Sequence, residues 1–359
     1  MSGPPASELP RRAASVLPRT ATFASITRIA DLDGATVAAL PREDWADGDY
    51  VVCRVLDRAG GPHEVESRSG RTVEVIADDL LVGALGVRSA TLEATGDWRA
   101  VGDDLVVHTL TRAGVLGRAT SATPFARPFL VPLRYRGHVL LEGRKAAMAG
   151  FVPELEPVEL TAPVILVIGT SMSAGKTTSA ITIVRRLVRM GLRVAGTKVT
   201  GVARYREILA MADAGASPVV DFVDAGLPST VCGPAVYRKA LANLIARIAA
   251  AEPDVVVVEC GASPLEPYNV DLAEEVLRPN VACTVLCASD PYAVVGVAQA
   301  HAARPDLVAG RATSTDAGID LCQRLAGVRA LNLLDPSSHP ALDELLAARL
   351  GLPGFAQPR

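Results

Sequence analysis

The stretch Val164-Ile-Leu-Val-Ile-Gly169-Thr-Ser-Met-Ser-Ala-Gly175-Lys176-Thr177-Thr178 decides the fold. It opens on an apolar, largely β-branched run and passes through a loop of small residues. Beyond it, Ile181, Ile183, Val184, Leu187 and Val188 recur with helical spacing from Ser179 to Met190. The pattern is strand, glycine-rich loop, helix, and such a turn suits phosphate for definite reasons. Successive backbone N–H groups wrap the oxygens, the helix N-terminus adds a positive dipole, and Lys176 supplies a mobile charge. Thr177 then stands where a hydroxyl would hold Mg2+. The candidate nucleotide contacts are Thr170, Ser171, Met172, Ser173, Ala174, Gly175, Lys176, Thr177 and Thr178.

Strands and helices alternate downstream. Near-continuous apolar runs at Val194–Val199, Val219–Phe222, Val255–Glu259, Cys283–Cys287, Leu307–Ala309 and Val328–Leu333 predict strands buried on both faces. Helical spacing follows at Val236–Ala250, Leu272–Leu277, Ala293–Ala303 and Ala341–Leu350. The fold class expected is α/β, a doubly wound, mostly parallel sheet, in which ligands sit at the carboxyl ends of the strands.

Chemistry-bearing residues cluster at those ends. Lys198 follows the second strand as a second cation. Asp221 and Asp224 follow the third; carboxylates facing a phosphate loop imply a metal or a titrating substrate group between, and the sequence does not separate the two. Glu259 ends the Val255–Val258 run, where a carboxylate is costly to leave unpaired. Asn332, after the last strand, is the candidate for adenine contact by position. The Asn/Thr-Lys-x-Asp pattern that reads guanine is absent, which tilts the expected nucleotide to ATP.

The N-terminal part has a different rhythm. Residues 1–24 are rich in Pro, Arg, Ala and Ser and read as a flexible tail. Residues 25–150 read as a small antiparallel barrel or sandwich, with strands at 50–56, 72–76, 80–85, 105–110, 129–135 and 138–141. Turns are expected at Ala59–Pro62, Ser69-Gly70, Thr95-Gly96 and Arg136-Gly137. In this region Arg88, Arg118, Arg144 and Lys145 are the cations that could reach an anionic substrate. Residues 151–162, where Pro153, Pro157 and the adjoining Pro163 bracket three glutamates, read as an extended linker to a nucleotide-binding domain over 163–359.

Composition narrows the function. The 359 residues have a net charge of −3 and 4% aromatic content, which leaves no basic footprint or stacking platform for nucleic acid. No apolar run reaches the ~18 residues of a membrane span. The six cysteines form no CxxC pair and the five histidines are dispersed, so the chain is expected to be cytoplasmic with free thiols and no zinc site.

The loop from Gly169 to Thr177 resembles that of dethiobiotin synthetase and the cobyric-acid-type amide synthetases, which carry Gly-Thr at the same longer spacing. Gly196-Thr-Lys198 resembles the segment after the second strand of dethiobiotin synthetase, without its proline, and Val258-Glu259 resembles that family's Mg2+-binding strand end. Residues 163–352 as a whole resemble the SIMIBI class of P-loop NTPases. Asp213-Ala-Gly, Asp221-Phe-Val-Asp224-Ala-Gly and Val258-Glu259 are also similar to the DUF1611 phosphate-loop family, some members of which are linked to N-acylation of D-amino acids.

The resemblance implies an ATP- and Mg2+-dependent ligase or kinase that activates a small metabolite at a carboxylate or amine. Thr177 and Glu259 would hold the metal, and Lys176 and Lys198 would neutralise charge; Asp221 is the further metal candidate from the reading of the third strand end. Two alternatives stand beside it: a coenzyme A-dependent N-acyltransferase, and a switch or metallochaperone NTPase. A homodimer is expected, because related NTPases place a second substrate at a dimer interface.

Overall fold

The computed structural model describes residues 15–56, 63–124, 130–301 and 304–352. Its carboxyl-terminal part is built on six strands: β1 (Val164–Gly169), β2 (Val194–Thr200), β3 (Val219–Asp221), β4 (Val255–Cys260), β5 (Val281–Cys287) and β6 (Leu307–Ala309). They pair in the order β3-β2-β4-β1-β5-β6, every pair parallel. Among the described residues seven helices flank them: α1 (Lys176–Arg189), α2 (Tyr205–Asp213), α3 (Pro234–Ala249), α4 (Val270–Leu277), α5 (Pro291–Ala300), α6 (Asp316–Ala326) and α7 (His339–Leu350). The class is α/β, as the alternating pattern required.

Alternation along each strand divides the core into two layers. Ile165, Val167, Val255 and Val257 meet Ile183, Val184, Leu187 of α1 and Leu342 and Leu346 of α7. Leu166, Ile168, Val256 and Val258 face the other way, into a core continuous with that of the amino-terminal region. Both faces of β1 and β4 are therefore dry, which is why these strands read as unbroken apolar runs.

Register sets the site. In β4 Glu259 lies beside Val167 of β1 on one side and Lys198 of β2 on the other, and Lys198 lies beside Asp221 of β3. Three charged residues thus share one row across three strands at their carboxyl ends.

The amino-terminal strands form a mixed, mainly antiparallel sheet that closes on itself. The ring runs Pro132–Leu141, Tyr50–Val55, Leu80–Leu85, Val115–Ala122, Val106–Thr109 and back to Pro132–Leu141. Closure removes exposed strand edges.

Several local expectations need correction. Arg136-Gly137 is not a turn but a bulge inside one strand, where the register with Tyr50–Val55 shifts between Tyr135 and Gly137. A Cβ on Gly137 would lie 2.8 Å from the Ala38 backbone, so glycine is there for close strand approach. Thr95-Gly96 likewise lies within the strand Ala94–Asp97. Residues 15–24, read as part of a tail, supply Ser15–Val16 and Thr22–Phe23 to the sheet, with Leu17, Ala21 and Ala24 buried. Val328–Leu333 makes a single bridge, Ala330 to Val308, before Asn332 turns the chain away by accepting from Leu334 N. The expected turn at Ala59–Pro62 and the start of the strand at Phe129 fall outside the described residues, as do Ala302 and Ala303 at the end of the helix expected over Ala293–Ala303.

Candidate nucleotide-binding site

Gly175 adopts φ +103°, a conformation that L side chains rarely adopt, and so turns the loop sharply into α1. Lys176, the first residue of α1, is buried and folds back so that its Nζ donates to Ser171 O at 2.7 Å. Thr177 Oγ1 donates to Glu259 Oε1 at 3.0 Å. The other carboxylate oxygen, Oε2, is buried with no hydrogen-bond partner. Burial raises the Glu259 pKa to about 7, with the nearby Glu207 charge acting in the same direction and Lys198 and Lys176 opposing it.

Lys198 is buried at the end of β2, ion-paired to Glu207 of α2 and donating to Val202 O at 3.1 Å. Burial alone would lower its pKa, but Glu207, Glu259 and Asp221 hold the ammonium above its ordinary value. Glu207 is held below the usual carboxylate range, because Lys198 outweighs its burial.

These groups open onto a cavity of about 450 Å3. The loop and sheet side contributes Met172, Ser173, Gly175, Lys176, Thr177, Thr178, Lys198 and Glu259. The rest of the lining comes from the start of α2 and from the amino-terminal region, which supplies Arg88, Glu93, Thr111 and Arg112. The two parts of the chain touch directly here: Ser173 Oγ donates to Glu93 Oε1 at 3.2 Å, and Arg88, itself paired with Glu93, reaches Met172 Sδ at 3.5 Å.

The remaining sequence candidates lie elsewhere. Thr170 faces β5 and the loop after it, accepting from Ser289 N at 3.1 Å, while Ser171 and Ala174 contribute carbonyls to Lys176 Nζ and Arg311 N. Asp221 and Asp224 do not line the cavity. Both bind Arg28, at 2.6 and 2.9 Å, and Asp221 is wholly buried there. Even so, burial keeps the Asp221 pKa raised, with Arg28 opposing. Asn332 also lies off the cavity, committed to its own turn. Of the amino-terminal cations, Arg88 lines the cavity, whereas Arg118 pairs with Asp104 and Lys145 with Asp49, both away from it.

Sequence reasoning passed over three contributors. Arg28 reaches the end of β3 and lies over the Tyr205 ring at 4.3 Å. Glu66, buried at the end of the strand His63–Glu66 in a separate two-stranded hairpin with Thr72–Val75, accepts from Tyr205 N and Arg206 N at 2.8 and 3.1 Å and so caps α2 from another part of the chain. Glu207 could have been found, because Ile208 and Met211 carry the apolar spacing of a short helix. Arg28 and Glu66 lie 193 and 139 positions from their partners, and nothing local marks them.

Asp271, Glu274 and His301 also gather in space, but each imidazole nitrogen meets a different carboxylate, Nε2 with Glu274 and Nδ1 with Asp271.

Fold and site together define an α/β chain carrying a phosphate-loop turn at the end of a central parallel strand. No family model matches the chain, and no curated protein matches it. Among solved structures it is similar to the signal recognition particle receptor FtsY of Elizabethkingia anophelis, with 15% identity and a TM-score of 0.35 over 50% of this chain and 59% of that one. A DUF1611 family protein from Anabaena variabilis gives 13% and 0.37 over 55% and 61%. The 54 kDa signal recognition particle protein of Aeropyrum pernix, in complex with GDP, gives 17% and 0.32 over 56% and 48%. The chain thus spans about three-fifths or less of each, and the fold class rests on its own strand order. Among the described residues, no helix is long and apolar enough to cross a membrane.

Proposed function

We infer that the chain binds a Mg2+-nucleotide, ATP by preference, in this cavity and transfers its γ-phosphoryl group to a small metabolite, as a ligase or kinase does. The observation that carries the reading is the pairing of Thr177 with Glu259 beside Lys176, with one Glu259 oxygen buried and unpartnered. Thr177 Oγ1 and the Glu259 carboxylate are hard oxygen donors of the kind Mg2+ takes, and the free Oε2 lacks the partner that such an ion would be. When bound, the ion would neutralise charge on the β- and γ-phosphate oxygens.

The chain's own groups do the rest. Backbone N–H groups at the start of α1 and the Lys176 ammonium bind the phosphates, and Lys198 stands in the same row as Glu259 to meet charge on the transferred group. In the transfer, a bond forms between the acceptor atom and the γ-phosphorus. The bond to the bridging oxygen breaks, and the nucleoside diphosphate leaves with that electron pair. Positioning and electrostatics supply the rate, without a nucleophilic side chain.

Thermal unfolding with ATP, GTP or acetyl-coenzyme A, each with and without Mg2+, tests this on the wild type and Lys176→Ala. A ligand at 100 times its dissociation constant stabilises by about 2.7 kcal/mol. A Mg2+-dependent ATP shift that Lys176→Ala abolishes supports the reading. A shift with acetyl-coenzyme A alone contradicts it and favours acyl transfer.

A further inference from the structure

Charge inside the cavity is unbalanced in a way the nucleotide does not absorb. Six lysine and arginine side chains line it against three glutamates. A triphosphate with its Mg2+ brings a net charge of about −2, so the lining residues by themselves leave roughly one positive charge over, which Glu64, outside the lining, offsets in part through its ion pair with Arg112. Its place follows from the pairing. Lys198 is tied to Glu207 and Arg88 to Glu93, and Lys176 belongs to the loop. What remains is Arg112, whose partner Glu64 is half exposed, with Arg204 and Arg206 at the start of α2.

The backbone at that end of α2 is not the anion site. Tyr205 N and Arg206 N are already taken by Glu66, so the arginine side chains carry the excess charge. Glu66 also fixes the backbone at Tyr205 and Arg206, next to Arg204, where the Arg204 and Arg206 side chains both line the cavity.

We propose that Arg112, Arg204 and Arg206 form an oxyanion subsite for the second substrate, a small molecule bearing a carboxylate or a phosphate, in the part of the cavity lined from outside the phosphate loop. Guanidinium groups grip planar or tetrahedral oxyanions with paired hydrogen bonds, so arginine suits either group. The subsite spans both parts of the chain, because Arg112 comes from the barrel and the other two from the α/β sheet region. It selects an anionic metabolite over a neutral or cationic one. The proposal rests on the nucleotide reading above.

Calorimetry on full-length protein saturated with Mg2+ and a non-hydrolysable ATP analogue tests it, the analogue keeping the probes off the phosphate loop. The probes are glutarate, inorganic phosphate and the neutral 1,5-pentanediol, on the wild type, Arg204→Ala/Arg206→Ala, Arg204→Lys/Arg206→Lys and Arg112→Ala.

The proposal expects glutarate or phosphate, but not the diol, to bind the wild type, and the stronger of the two identifies the anionic group. The double alanine variant should weaken that probe at least tenfold while changing analogue affinity less than twofold, and the lysine variant should recover part of the loss. Binding of neither anion, unchanged binding in the double variant, or an equal loss of analogue affinity overturns the subsite. If the wild type does not bind the analogue at all, the nucleotide reading fails. The subsite then stands or falls on whether the same arginine variants weaken glutarate binding to the free protein.

Discussion

Removing the Arg28 side chain should be among the most damaging single changes to stability, although Arg28 lies far in sequence from everything it touches. Its guanidinium meets Asp221 at 2.6 Å and Asp224 at 2.9 Å, with 7% of the arginine side chain and none of the Asp221 side chain exposed. In Arg28→Met the stem volume survives and the charge is lost, so Asp221 is left as a buried, unpaired carboxylate. Breaking a buried pair from one side costs about 3–5 kcal/mol. Asp224 keeps partial access to water, so the lower half of that range is expected.

The pH dependence has a definite sign. The folded-state pKa of Asp221 is already raised by burial, and loss of Arg28 raises it further. A carboxyl with a raised folded pKa takes up a proton on folding, so its contribution is least harmful below its unfolded value and worsens as pH rises toward the folded one. The deficit should therefore be greater at pH 8 than at pH 5. Urea unfolding of Arg28→Met, Asp221→Asn and the double variant at both pH values measures it. The double variant should recover at least half of the Arg28→Met loss. A loss below about 1 kcal/mol at pH 8, or no recovery in the double variant, would refute the reasoning.

Glu66→Ala uncaps α2 and should cost about 1–3 kcal/mol, read as earlier urea unfolding and faster amide exchange over residues 205–213. Asp47 has its pKa raised to about 7, chiefly by burial, so wild-type stability falls as pH climbs from its unfolded value toward neutrality. Asp47→Asn should remove that slope and gain roughly 1–2 kcal/mol at pH 8 and little at pH 4, by thermal melts across pH. Gly137→Ala drives a methyl into the Ala38 backbone at the bulge and should lose about 1–3 kcal/mol, while leaving nucleotide affinity at its wild-type value.

What the sequence revealed of this protein divides by locality. The β1 turn, the parallel strands and the Glu259 position were legible because a doubly buried strand must be apolar along its length and a carboxylate at its end stands out. Lys176, Thr177, Lys198 and Glu259 do converge on one cavity. Asp221 and Asp224 looked alike from spacing alone, and their commitment to Arg28 could not be read, since that contact depends on how the barrel seats against the sheet. Glu66 escaped for the same reason. Gly137 misled because glycine marks a turn and a close strand approach equally well, and only the partner strand Thr36–Ala38 distinguishes them.

The central claim, that Thr177 and Glu259 hold the metal of a bound nucleotide, is tested most directly by ATP calorimetry with and without Mg2+ on the wild type and Glu259→Gln. The account predicts that Mg2+ tightens ATP binding at least tenfold in the wild type and less than twofold in the variant. Equal ATP affinity with and without Mg2+ in the wild type, or an undiminished Mg2+ effect in Glu259→Gln, would contradict it.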